Sequence, residues 1–234
     1  MARAPHLSAA ALALLSAAAL PGCDGRDFKF AGVSLYKYFP LDGEREWIYA
    51  NESADIGSEL HVRTVGSRRA GDVSVVTLRY STTNPDLELF DVEWSSDSVD
   101  GIQIWSWTDA ATGAQTVFNP PLLFADGEMT ADQAVSSSGG GFNCTSTYLE
   151  LVELGNAWTT DTWESAHIYF DDGDGDDMAG LPFAGHWWIA STYGTNQLVP
   201  TGYVANTFGF DPGADSPSGE NWYLSKANFA TAED

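Results

Sequence analysis

The sequence predicts an all-β fold, a single antiparallel meander sheet curled into a barrel, a half-barrel or a sandwich. Three observations predict it. The 234-residue chain carries nine Trp, nine Tyr and twelve Phe, and aromatic and β-branched residues suit the pleated, half-buried surface of a strand. Short Val-, Ile- and Thr-rich runs alternate with turn residues and no helical stretch intervenes, as in a meander. Beyond the leader, no long run repeats its apolar residues with a helical period. A sheet this long must protect its edges, which is the reason to expect curling.

The elements follow in order. Trp47-Ile48-Tyr49 opens the strand series. Leu60 to Val65 and Val73 to Tyr80 flank Arg69-Ala70-Gly71-Asp72, a hairpin pattern. Phe90, Val92 and Trp94 alternate with Asp91 and Glu93, a strand with one wet face. Ile102 to Trp107 is apolar at both parities and reads as central; Trp105 and Trp107, two apart, are expected on one face. Asn119-Pro120-Pro121 is expected to break regular structure, because two prolines remove two ladder donors. Ala131 to Val135 suggests a short helical turn, and Ser136 to Gly141 a Ser/Gly loop. Thr145 to Leu154 and Thr162 to Phe170 read as strands, the second with Trp163, Ser165, His167 and Tyr169 on one face. The acidic stretch Asp171 to Asp177 precedes a strand through His186-Trp187-Trp188-Ile189, whose two tryptophans point to opposite faces. Pro212 to Gly219 is turn-rich, and Trp222-Tyr223-Leu224 is the closing strand.

The N-terminal segment has its own signature. Arg3 precedes an uncharged Ala/Leu-rich run from Leu7 to Leu20, which ends at Leu20-Pro21-Gly22-Cys23. This is the layout of a secretory signal with a small residue at the cut, and its end reads as a lipobox. The expected division is a signal peptide over 1–22, a tether over 23–36 lipidated on Cys23, and a β-rich domain over 37–234. The chain is thereby expected in a bacterial cell envelope, periplasmic or surface-exposed, held to a membrane by its N-terminal lipid. Removal of the leader leaves about 210 residues, one domain that buries about 70% of its unfolded surface.

The formal net charge is −23, from 33 acidic and 10 basic residues. Phosphates would add to that field, so nucleic acid is excluded as a partner. With Cys23 assigned to lipid, Cys144 is the one cysteine left over for the domain and reads as a small buried thiol.

Four landmarks then come in a familiar order: Tyr38-Phe39-Pro40-Leu41 with Gly43 and Trp47-Ile48-Tyr49, Phe118-Asn119-Pro120-Pro121-Leu122-Leu123, Trp187-Trp188-Ile189-Ala190 with Gly194, and Trp222-Tyr223-Leu224. Together they resemble an uncharacterised family of bacterial envelope lipoproteins with a YFPL…G…W.Y opening, a central PPLL segment and a closing W.L strand. The resemblance implies a lipoprotein with a curved antiparallel sheet and no established activity. Ser191-Thr192-Tyr193-Gly194 departs from the family's third segment, which carries a Pro-Gly pair.

Candidate chemistry is sparse. Asp172, Asp174 and Asp176 alternate as the first oxygen ligands of a calcium loop do, which makes Ca²⁺ the one candidate cofactor. The sixth and twelfth positions from Asp172 hold Asp177 and Phe183, so the EF-hand pattern of Gly and Glu is absent. His61, His167 and His186 share no zinc-site spacing and are expected in structural or surface roles. Arg68-Arg69 reads as a charged hairpin end that discourages edge pairing. No nucleophile elbow, phosphate loop or dinucleotide fingerprint occurs in the sequence. The expectation is a non-catalytic, monomeric lipoprotein with a structural or interaction role. The alternative is a carrier of a lipid or glycan on the concave face of the sheet.

Overall fold

The computed structural model describes residues 32–39, 41–51, 59–83, 86–155, 162–173, 180–190, 202–208 and 221–229. Twelve strands make an antiparallel meander: β1 (Arg45–Asn51), β2 (Glu59–Ala70), β3 (Val73–Thr83), β4 (Asp86–Asp97), β5 (Gly101–Asp109), β6 (Gln115–Ala125), β7 (Gln133–Gly139), β8 (Phe142–Gly155), β9 (Thr162–Asp171), β10 (Gly185–Ala190), β11 (Gly202–Phe208) and β12 (Asn221–Phe229). Their lateral order is β6-β5-β4-β3-β2-β1-β12-β11-β10-β9-β8-β7. The first and last of these strands therefore pair, with Arg45 opposite Phe229 and Asn51 opposite Trp222.

The sheet folds over so that its two six-stranded halves face each other. Alternation sends Val92 and Trp94 of β4, Phe124 of β6, Ile168 and Phe170 of β9 and Trp187 of β10 inward, all essentially buried. Trp94 meets Trp187 edge to face at 5.8 Å, and Phe124 meets Phe170 at 5.6 Å across the layers. The two free edges, β6 and β7, lie side by side. The N–H of Leu123 donates to Ser137 Oγ at 2.8 Å, yet among the described residues no ladder joins the edges. The molecule is a flattened, seamed sandwich and not a closed barrel. Among the described residues, no helix is long and apolar enough to cross a membrane.

One end of the sandwich is plugged by the entering chain. Val33 exchanges two backbone hydrogen bonds with Met129. A 3₁₀ turn at Leu35–Tyr38 follows. Leu35 and Phe39 are buried, and Phe39 packs on Trp94 at 5.2 Å. The β2–β3 and β4–β5 turns and the β6–β7 connection share this end, because successive strands alternate in direction. The β5–β6, β7–β8 and β9–β10 connections lie at the other.

Three expectations about backbone are corrected. Asn119-Pro120-Pro121 does not end a strand, since β6 runs through it. Its pairing to β5 lapses between Val117 and Leu122, where a large register shift absorbs the missing donors, and the far side of β6 is an edge. Ala131 to Val135 is not helical: Asp132 takes a positive φ of 64° in a turn, and β7 begins at Gln133. Ser136 to Gly139 is strand, not loop. Serines supply edge contacts there, Ser137 to Leu123 and Ser136 to Thr145.

Candidate functional site

Of the residues singled out by sequence, Cys23, Asp174 and Asp176 lie outside the described residues. Asp172 is buried at 6% exposure just past β9. Its Oδ2 accepts the Leu181 N–H, and a Cβ on Gly180 would stand only 2.2 Å from it. Its carboxylate thus closes the base of the β9–β10 connection, while Asp171 Oδ1 accepts the Gly173 N–H at 2.9 Å. Cys144 sits in the core on β8 at 1% exposure. Among the described residues no three His, Cys, Asp or Glu side chains gather closely enough to cage a metal ion.

The structure instead assembles a site from two histidines that the sequence leaves apart. On the outer face of β9 and β10, Trp188 stands opposite His167 and His186 opposite Tyr169. Diagonal neighbours on such a face come within reach of ring side chains. His167 Nε2 lies 2.9 Å from His186 Nδ1, a hydrogen bond between two imidazoles. Trp188 stacks on His167 at 4.4 Å and 16°, and Tyr169 lies against His186 at 4.6 Å. Glu150 of β8 stands opposite His167 across the β8–β9 ladder, its Oε1 3.9 Å from Nδ1. That is close enough to attract an imidazolium but too long for a hydrogen bond. As expected, Trp187 and Trp188 face opposite ways, Trp187 into the core and Trp188 onto this outer patch.

Burial pushes the pKa of His167 below its ordinary value, the neighbouring His186 lowers it further, and Glu150 opposes. Burial lowers His186 as well. The unfolded histidines take up protons near pH 6.5, whereas the folded pair resists until a lower pH. Folding stability from this pair is therefore complete above about pH 6.5 and declines as pH falls through that value. Wild-type protein should lose more stability between pH 7 and pH 5 than a His167→Gln/His186→Gln double variant, read as the difference between their melting curves. Equal pH slopes would refute the coupling.

Two other polar groups occupy outer faces. His61 lies between Glu46 at 3.5 Å and Glu59 at 3.4 Å. Arg68, expected as a bare hairpin charge, grips both oxygens of Glu93 at 2.8 Å, and Ser106 donates to the same carboxylate at 2.8 Å. The Arg68 guanidinium holds the Glu93 carboxyl below its usual range. Trp105 does not share a face with Trp107. A bulge opposite Glu93 and Trp94 makes Trp105 an extra residue. Its ring turns outward, donating to Ser95 Oγ at 2.9 Å and lying under Arg68 at 5.7 Å. Trp107, opposite Val92, packs against the core.

The inward face is filled by the aromatic core. Two adjoining pockets open at the plugged end, one of about 370 Å³ beside Tyr36, Leu41 and Val76 and one of about 480 Å³ between the β2–β3 and β4–β5 turns. No family model, no curated protein and no solved structure matches the chain.

Proposed function

We propose that this chain is a non-catalytic lipoprotein of the bacterial envelope, tethered through acyl chains on Cys23 and acting as an interaction module through its outer surface. The observation that carries the reading is Leu20-Pro21-Gly22-Cys23 closing an uncharged, Ala/Leu-rich run. Two structural features support it. The described core packs its own tryptophans and phenylalanines between the layers, so contacts with a partner fall to the exterior. The chain also enters at one end of the sandwich, leaving the opposite end to face away from the anchor. Three of the stretches between strands are one-signed in sequence: two acidic residues in 52–58, four in 172–184 and three in 209–220, with no Lys or Arg in any of them. A field of one sign steers cationic partners.

Replacing Cys23 with Ser is expected to abolish acylation and move the protein from the membrane fraction to the soluble fraction, followed by fatty-acid labelling and fractionation. Continued labelling and membrane retention would overturn the anchor. A soluble wild-type protein would do the same.

A further inference from the structure

We propose that His167 and His186 form a binding site for a divalent transition-metal ion of the zinc or copper kind, held between His167 Nε2 and His186 Nδ1 on the outer face of the β9–β10 hairpin. The inference stands independently of how the chain is anchored.

Two ring nitrogens from different strands point at one another across 2.9 Å. In neutral imidazoles only one of these nitrogens carries the proton between them, and the other presents a lone pair. Zinc binds imidazole nitrogen at about 2.0–2.1 Å, so a tetrahedral ion separates its two ligand nitrogens by about 3.3 Å. The rings need to part by a few tenths of an ångström and each to turn by about 35°, so that both lone pairs converge on the ion beside the line that joins them. Protons balance without a co-reactant. The charge of Glu150, 3.9 Å from Nδ1 of His167, favours the tautomer with its proton there and its lone pair on Nε2. His186 then carries its proton on Nε2 when the ion takes the Nδ1 lone pair, and water fills the remaining positions.

The surroundings fit this use. Burial favours the neutral, ligating form of both rings. Trp188 and Tyr169 hold the imidazoles in place, so little side-chain freedom is lost on binding. The donor type selects the ion: imidazole suits zinc, copper and nickel, whereas calcium and magnesium want oxygen. The site is thus chemically distinct from the acidic stretch that follows β9, which offers only oxygen.

The test is a titration of the untagged full chain in detergent with Zn²⁺ alone, followed by calorimetry and by the melting temperature. Millimolar Mg²⁺ is included to occupy surface carboxylates. Cu²⁺, followed by electron paramagnetic resonance, gives a second readout. The expected result is saturation near one ion per chain, a raised melting temperature, and nitrogen hyperfine structure from two imidazoles. His167→Gln and His186→Gln should each weaken binding at least tenfold, Glu150→Gln only slightly, and His61→Gln not at all. Circular dichroism matching the wild type confirms that the variants are folded. Absence of saturable binding under Mg²⁺, or undiminished binding by folded His167→Gln and His186→Gln proteins, would overturn the proposal.

Discussion

Trp94→Ala is expected to destabilise the protein by about 3–5 kcal/mol, the range for truncating a large buried aromatic. The ring sits at 0% exposure, where the two halves of the folded sheet and the entering chain converge. It touches Phe39 at 5.2 Å, Phe124 at 5.4 Å, Phe183 at 6.1 Å and Trp187 at 5.8 Å. These partners come from the entering chain, β6, the β9–β10 connection and β10, so no single element can move to refill the void. Trp94 Nε1 has no acceptor among the described residues, and a buried donor in that state costs stability. Trp94→Phe keeps a ring while deleting that donor and should lose markedly less. Urea denaturation of the two variants checks both expectations. Equal losses would show that the ring kept by Phe contributes nothing and would refute the cavity argument.

Gly101→Ala should be nearly as damaging. Gly101 opens β5 with a positive φ of 73°, which costs an L-residue about 1–2 kcal/mol. An added Cβ would lie 2.2 Å from the carbonyl oxygen of Ala125 and 2.9 Å from the backbone of Gly127. Neither atom belongs to a flexible side chain, so the β4–β5 turn or the end of β6 must shift. Overpacking of this kind costs about 1–3 kcal/mol, which brings the expected total to roughly 2–5 kcal/mol. Gly71 separates the two contributions. It also has a positive φ, 62°, but a Cβ there meets nothing within 4 Å. Gly71→Ala should therefore show only the backbone cost, about 1–2 kcal/mol. If the two variants melt together, the steric argument fails.

The strand-and-turn texture was readable because alternation reports burial directly: Phe90, Val92 and Trp94 are the inward residues of β4, as their spacing indicates. What alternation cannot report is a dropped register. The bulge at Trp105 reverses its direction relative to Trp107, and nothing in Ile102 to Trp107 marks it. Serines misled for another reason. Ser136 to Ser138 have loop composition, but an edge strand beside a seam uses hydroxyls to satisfy backbone donors. The histidine pair was illegible as a motif, because 19 residues and a connection separate its members. It becomes readable only when β9 and β10 are set in register, with Trp188 opposite His167. A search for ring residues at matching parity in consecutive strands would have found it.

The pairing of β1 with β12 has a consequence for how the molecule comes into being. Strands β1 to β6 are local neighbours and can associate as they are made, yet Trp94 waits for Trp187, 93 positions later in the chain. Until residues 221–229 arrive, β1 is an open edge beside an uncovered apolar layer, the condition that invites strand exchange with other chains. The sheet is fastened by a clasp whose halves are made first and last. A polypeptide with such a clasp gains little by folding before its last strand has been made.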